Sequence, residues 1–223
     1  MAQSDELFEH VIEISLARRR MSAGPIRVGV DGRDGAGKTT FANHLSAALA
    51  GRDAEVYRAS IDDWQQPANY RYRQGRYSPE GYYLDGFDYL SFRRELLDPF
   101  AEERRCRLAA FDVESDRPVE GASILAGPNS ILLVDGVFLL RPELRDCWEL
   151  SIYLYVDPPT ALERGIARDS ARSGDADLER RLYKERYGPG QDLYELEAAP
   201  TRHADLVIDN TRPIEPVLVD RRS

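Results

Sequence analysis

A chain of 223 residues, 42% hydrophobic, is long enough to bury one α/β core and requires no second domain. A net charge of −9 and a pI near 5.0 speak against a partner held by its polyanionic backbone, so no nucleic acid polymer is expected. Cys106 and Cys147 lack metal-ligand spacing, no run approaches the ~20 apolar residues that cross a bilayer, and the N-terminus lacks an apolar signal core, so the expectation is a cytoplasmic protein with reduced thiols and no membrane partner.

Leu7, Phe8, Val11, Ile12 and Leu16 recur at helical spacing and predict an amphipathic helix over 5–20, with Arg18–Arg20 as its solvated end. Ile26–Asp31 reads as a buried parallel strand. The G-x-x-x-x-G-K-[ST] motif from Gly32 to Thr39 follows, and Thr39–Ala50 reads as a helix. Glycines at Gly32, Gly35 and Gly37 let successive backbone N–H groups turn inward, and the helix adds the positive end of its dipole, so the segment predicts a phosphate cradle. Lys38 is expected to reach the β and γ phosphates of a nucleotide, and the Thr39 hydroxyl to hold Mg²⁺. Of the 30 Lys and Arg residues only Lys38 and Lys184 are lysines, so a lysine here runs against the chain's habit.

Ala54–Ser60 predicts a second strand. Ile61–Asp88, rich in Tyr, Arg, Gly, Pro and Asp and without apolar period, predicts a long functional loop that holds a second substrate. Helical spacing resumes over Tyr89–Leu97, and Arg107–Val113 with Pro118–Ile124 reads as a hairpin. Ile131–Val134, closed by Asp135-Gly136, has the continuous apolar character of a central strand and is placed beside the first. Leu150–Val156 is another strand, Thr160–Ser173 and Asp177–Ala199 are helices with breaks at Gly174 and Gly188–Gly190, and Asp205–Ile208 is a last short strand. Strands alternating with helices give an α/β fold, a doubly wound parallel sheet of the P-loop NTPase type with helices on both faces. One domain over 1–223 would comprise the phosphate loop 32–39, a substrate-binding region at 61–124 and a helical lid at 160–175.

Asp62 and Asp63 follow the second strand at a position that opens on the crevice where α/β sheets bind ligands, which makes one of them a candidate base; paired acids also cap turns. Asp135 is the expected metal-holding carboxylate at a strand end. Arg164, Arg168 and Arg172 share one helix face and can clamp phosphates, although such stripes are often only solvated. Tyr70, Tyr72, Tyr77, Tyr82 and Tyr83 alternate with Arg71, Arg73 and Arg76; this pattern can stack a base and steer a phosphate, or fold the loop onto itself. His10, His44 and His203 are isolated and read as structural. Trp64, beside the Asp pair, either walls the site or joins the core.

The order of the Gly32–Thr39 loop, Ser60-Ile61-Asp62-Asp63-Trp64, Tyr83-Leu84-Asp85, Phe111-Asp112, Leu132-Leu133-Val134-Asp135-Gly136 and Arg164-x-x-x-Arg168-Asp169-x-x-Arg172-x-Gly174 resembles the uridine kinase and phosphoribulokinase group of P-loop kinases over about residues 25–210. The resemblance implies ATP and Mg²⁺ as cofactors, with Gly32, Asp34, Gly35, Ala36, Gly37, Lys38, Thr39, Thr40, Arg164 and Arg168 at the nucleotide and Thr39, Asp62 and Asp135 at the metal. It implies Asp62 as the base toward a sugar 5′-hydroxyl, with Lys38 of the phosphate loop and Arg168 and Arg172 of a mobile lid sharing the catalytic work. It further implies an acceptor held by Asp62, Tyr83, Asp85, Phe111, Asp116 and Arg172, with Asp85 on ribose hydroxyls. Two departures stand out: Asp135 replaces the usual Glu, and Asp116 stands where a pyrimidine-contacting His is expected. The expected reaction is phosphorylation of a small molecule, uridine or cytidine first. A different ribosyl, sugar-phosphate or pantothenate-like acceptor, or a nucleotide-hydrolysing regulator, are the other readings. The adenine pocket is expected near Asn210 and Thr211, and the oligomeric state is left open.

Overall fold

The computed structural model describes residues 2–52, 54–213 and 215–221, with side chains from residue 5 onward. Ten strands form: β1 (Ile26–Gly32), β2 (Glu55–Ser60), β3 (Arg105–Arg107), β4 (Phe111–Asp112), β5 (Arg117–Pro118), β6 (Ser123–Leu125), β7 (Ser130–Asp135), β8 (Leu150–Tyr155), β9 (Leu206–Asp209) and β10 (Val217–Arg221). The main sheet has six strands in the order β10-β9-β8-β1-β7-β2. β2, β7, β1, β8 and β9 are parallel, and β10 closes one edge antiparallel to β9.

Period-two alternation decides what each face buries. Ile26, Val28, Val30, Ile131, Leu133, Ile152 and Leu154 face α1 (Ala2–Met21) and α2 (Lys38–Ala50), where Val11, Ile12, Phe41, Leu45 and Leu49 close the core. Leu132, Val134 and Tyr153 face the other way, into a core of Trp64, Phe92, Leu96, Leu97, Phe100, Phe138 and Trp148. The sheet is thus covered on both faces, in a doubly wound α/β arrangement, and the C-terminal ends of β1, β7 and β2 open on one crevice.

The segment 61–88 is more ordered than a long loop. Ser60 caps a 3₁₀ turn at Ile61–Trp64 by accepting from the Asp62 N–H, Ala68–Arg71 is one helical turn, and Ser78 caps a helix over Pro79–Asp85 by accepting from the Gly81 N–H. Cap residues set just before short runs, with Pro79 in the first helical turn, make helices that hydrophobic periodicity cannot reveal. Helical backbone continues over 89–101 through a π-type stretch at Arg93–Leu97. The expected hairpin exists as two short ladders, β3 with β6 and β4 with β5. Gly174, at φ 75°, ends the helix Pro158–Ser173 as expected. Gly188–Gly190 does not break the next one: helical backbone runs from Ala176 through a π-type stretch at Tyr183–Tyr187 to Ala198, and Pro189 falls in the first turn after that stretch. β10 was not expected; it is short, largely exposed and lies beyond two prolines.

Candidate active site

The loop between β1 and α2 lies at the floor of a cavity. Gly35 and Gly37 hold φ of 78° and 86°, a region that L side chains rarely adopt. Lys38 turns its Nζ back to the Arg33 carbonyl at 2.8 Å, so its ammonium is held at the loop. The Thr39 hydroxyl donates to Asp135 Oδ2 at 2.6 Å, which brings the two metal candidates from α2 and the end of β7 into contact. Arg58 on β2 donates to Asp135 Oδ1 at 2.6 Å and to the Leu133 carbonyl at 2.6 Å, fixing the carboxylate from its other side. No sequence signal singled out Arg58, because its role exists only when β2 pairs with β7.

A cavity of about 750 Å³ opens over this loop. Asp34, Gly35, Gly37, Lys38, Thr39, Thr40, Asp62, Asp135, Arg164, Arg168 and Arg172 all line it, so the structure gathers these expected site residues from four segments of the chain. Asp62 stands open to the cavity yet within its walls. Desolvation by those walls, then the Asp34 charge and that of Asp135, push its carboxyl up to about 6 against the pull of Lys38 and Arg168. Arg168 rests in a fork on Asp169 at 2.8 and 3.0 Å, and Tyr183 donates to the same carboxylate at 2.8 Å. Arg172 lies 3.9 Å from Asp169 and is mostly exposed. Among the described residues no group of three or more His, Cys, Asp or Glu converges as a self-sufficient metal cage. The Thr39–Asp135 pair instead suits Mg²⁺, which keeps much of its shell as water and phosphate.

A second cavity of about 700 Å³ continues on the far side of the loop, sharing Gly35, Gly37, Thr40 and Arg164 with the first and walled by Phe8, Phe41, His44, Asn210, Pro213 and Pro216. Arg164 donates to the carbonyls of Asn210 and Thr211 at 3.2 and 2.6 Å, and Asn210 donates to the Ala36 carbonyl at 2.7 Å. Asn210, expected near the nucleobase, lies on this wall.

Four expected acceptor contacts are placed elsewhere. Asp85 is buried with both oxygens taken, by a two-pronged grip from Arg73 at 2.9 and 2.6 Å and by Gln74 at 2.6 Å. Tyr83 packs on Phe138 and Tyr194 under Arg141, and Phe111 is buried. Asp116 caps the Ala68 N–H and holds Arg71, both at 2.9 Å. Gly32 and Ala36 support the loop from below without facing the cavity, and Trp64 is fully in the core. The cavity wall away from the phosphate loop, where an acceptor would be sought, is made instead by Gln65, Arg71, Tyr72, Tyr82, Phe87 and Arg186. Arg71, Tyr72 and Tyr82 belong to the Tyr/Arg pattern visible in sequence, whereas Gln65 and Arg186 carried no signal. Much of that pattern folds on itself, with Arg73 stacked over Tyr70 and Arg181 over Tyr77.

No protein-family model matches the chain. Among curated proteins it is similar to the uridine kinase of Brevibacillus brevis, 26% identical over 158 residues that span 67% of this chain and 69% of that protein. A possible uridine kinase from Bacillus stearothermophilus superposes with a TM-score of 0.71 at 23% identity, covering 92% of this chain and 97% of the other. A candidate fructose transport system kinase from Silicibacter sp. superposes with a TM-score of 0.72 at 23% identity, covering 86% and 95%. The two structures share the fold described above, and both carry kinase descriptions.

Proposed function

We propose, for a chain that belongs to the uridine kinase and phosphoribulokinase-like family of P-loop kinases, that the cavity over the phosphate loop transfers the γ-phosphoryl group of ATP to a hydroxyl of a small molecule. The observation that carries this reading is the convergence of Asp62, Lys38, the Thr39–Asp135 pair and the three helix arginines on one cavity. Lys38 and the loop N–H groups bind the phosphates; Arg168 and Arg172, released from Asp169, draw charge from the transferring group. Asp62 orients the acceptor hydroxyl and takes its proton. Thr39 and Asp135 would hold Mg²⁺, which supplies positive charge between the β and γ phosphates when bound.

The resemblance suggests the 5′-hydroxyl of uridine or cytidine as acceptor. One observation favours a second reading, another ribosyl or polyol compound: Asp85, Tyr83 and Phe111 are buried and the exposed Asp116 is held by Arg71, so none of the four lines the cavity. A coupled ADP-release assay with mass detection across nucleosides, sugars and sugar phosphates decides the acceptor. Asp62→Asn is expected to lose roughly 10²–10⁴-fold in turnover while ATP affinity stays nearly unchanged. Phosphate release that ignores every acceptor, in the wild type, would replace the kinase with a nucleotide-hydrolysing regulator.

A further inference from the structure

Two buried guanidinium groups line the cavity away from the phosphate loop: Asp116 is the carboxylate bonded to Arg71, and the Asp85 charge that reaches Arg186 is already held by Arg73. Arg71 is buried, donates to Gln65 Oε1 and to Asp116 Oδ1, and leaves its Nε buried with no hydrogen-bond partner. Asp116, its single carboxylate partner, is 42% exposed and also caps the Ala68 N–H. Arg186 is only 2% exposed and makes no ion pair among the described residues. Its N–H groups go to the backbone carbonyls of Arg71 at 3.1 Å and of Gly75, Arg76 and Ser78 at 3.1 to 3.5 Å. Both guanidinium groups lie near the Tyr72 ring, Arg186 at 4.9 Å and Arg71 at 5.6 Å from its centroid. Burial, with the Arg71 charge beside it, lowers the affinity of Arg186 for its proton. Gln65, whose oxygen already accepts from Arg71, keeps two N–H donors to offer. The carboxylates that line the cavity, Asp34, Asp62, Asp135 and Asp169, belong to the loop, strand ends and arginine helix of the phosphate side.

A buried cation is costly unless paired, and neutral carbonyls offset only part of that cost. We infer that the acceptor carries an anionic group, a phosphate or a carboxylate, that docks against Arg71 and Gln65 in the field of Arg186 while its hydroxyl meets Asp62. The inference rests on the kinase reading and narrows it from small hydroxyl compounds at large to charged ones. An uncharged nucleoside leaves the two buried cations in excess; an anionic acceptor balances them.

Matched acceptors test it: D-ribose against D-ribose 5-phosphate, glycerol against D-glycerate, and uridine, each with Mg·ATP. Charged members are expected to exceed their neutral partners by roughly 100-fold in kcat/KM, with the phosphate and carboxylate arms identifying the anion. Arg71→Gln should raise KM for the charged member far more than it lowers kcat, and Arg71→Lys should recover part of the loss. A parallel titration fills the phosphate loop with the non-hydrolysable analogue Mg·AMP-PNP and then adds inorganic phosphate or D-glycerate, read by thermal shift. A second anion site that Gln65→Leu and Arg71→Gln both weaken supports the inference even if no acceptor turns over, in which case the kinase reading alone has failed. Turnover of uridine above every charged acceptor, or no second anion site in the titration, overturns the inference and leaves the kinase reading standing.

Discussion

At the residue scale the proposed phosphoryl transfer turns on the ionisation of Asp62. A carboxyl raised from 3.8 to about 6 is ionised at neutral pH yet basic enough to take a proton from a hydroxyl. Only the ionised form is the base, so kcat/KM, which reports the free enzyme, should fall with unit slope as pH drops through about 6, and the descending limb should vanish in the residual activity of Asp62→Asn. Stability runs in the opposite sense. Folding raises this pKa above its unfolded value, so the cost of the buried charge is full above about 6 and is relieved as pH falls toward 3.8. Asp31, buried behind the loop under the Gly32 and Leu140 N–H groups and the Tyr194 hydroxyl, is likewise raised to about 6 by desolvation and adds with the same sign. Asp62→Asn should therefore melt higher than the wild type at pH 7 and lose that advantage by pH 4, the stability–activity trade expected of a base held by its surroundings.

At the scale of elements the decisive contact is between the phosphate loop and the helix Pro158–Ser173. A Cβ placed on Gly35 would lie 2.2 Å from the Ala161 carbonyl oxygen, on backbone that cannot swing away. The arginine helix thus sits directly on the loop, which is how Arg164 and Arg168 reach the nucleotide side. Gly75 has an equally unusual φ of 103° but open space around it. Gly35→Ala should weaken ATP binding by more than about 10-fold or prevent folding, through strain and clash together. Gly75→Ala should cost only about 1 kcal/mol from conformational strain, with ATP binding intact. Nucleotide titration beside thermal melts of both variants separates steric packing from backbone freedom.

Across the whole molecule, the helix Gly188–Ala198 braces the phosphate loop from behind. Arg33 in the loop pairs with Glu195 at 2.6 Å and with Asp192, Gln191 donates to Asp34 at 2.7 Å, and Tyr194 donates to Asp31. Tyr82, from the acceptor wall, reaches the same Asp34 oxygen at 2.9 Å. One loop is thereby tied both to the C-terminal third of the chain and to the acceptor side. Arg33→Ala should destabilise the fold by about 2 kcal/mol, less than a fully buried pair because Asp192 is largely exposed. It should also weaken ATP binding, since the loop loses the brace that sets its shape; a melt and an ATP titration read the two effects.

The sequence by itself determined the parts whose cause is local. The Gly32–Thr39 loop, the alternating faces of β1, β7 and β8, the Asp135 strand end and the arginine spacing on one helix all follow from chemistry within a few residues. Asp62 was legible as a candidate for the same reason, as a carboxylate two residues past the end of β2 where the sheet opens. The tertiary structure decided what depends on partners far along the chain. It assigned Asp85 to Arg73, set Arg58 against Asp135, brought Arg186 across 115 residues of sequence to the Arg71 carbonyl, and gave the acceptor wall to Gln65 and Tyr82. An arginine or a carboxylate has the same appearance in sequence whether it meets a substrate or another side chain. Which of these it meets is fixed by packing, because each charge that the fold buries must find its partner in space, and that search is not confined to neighbours along the chain.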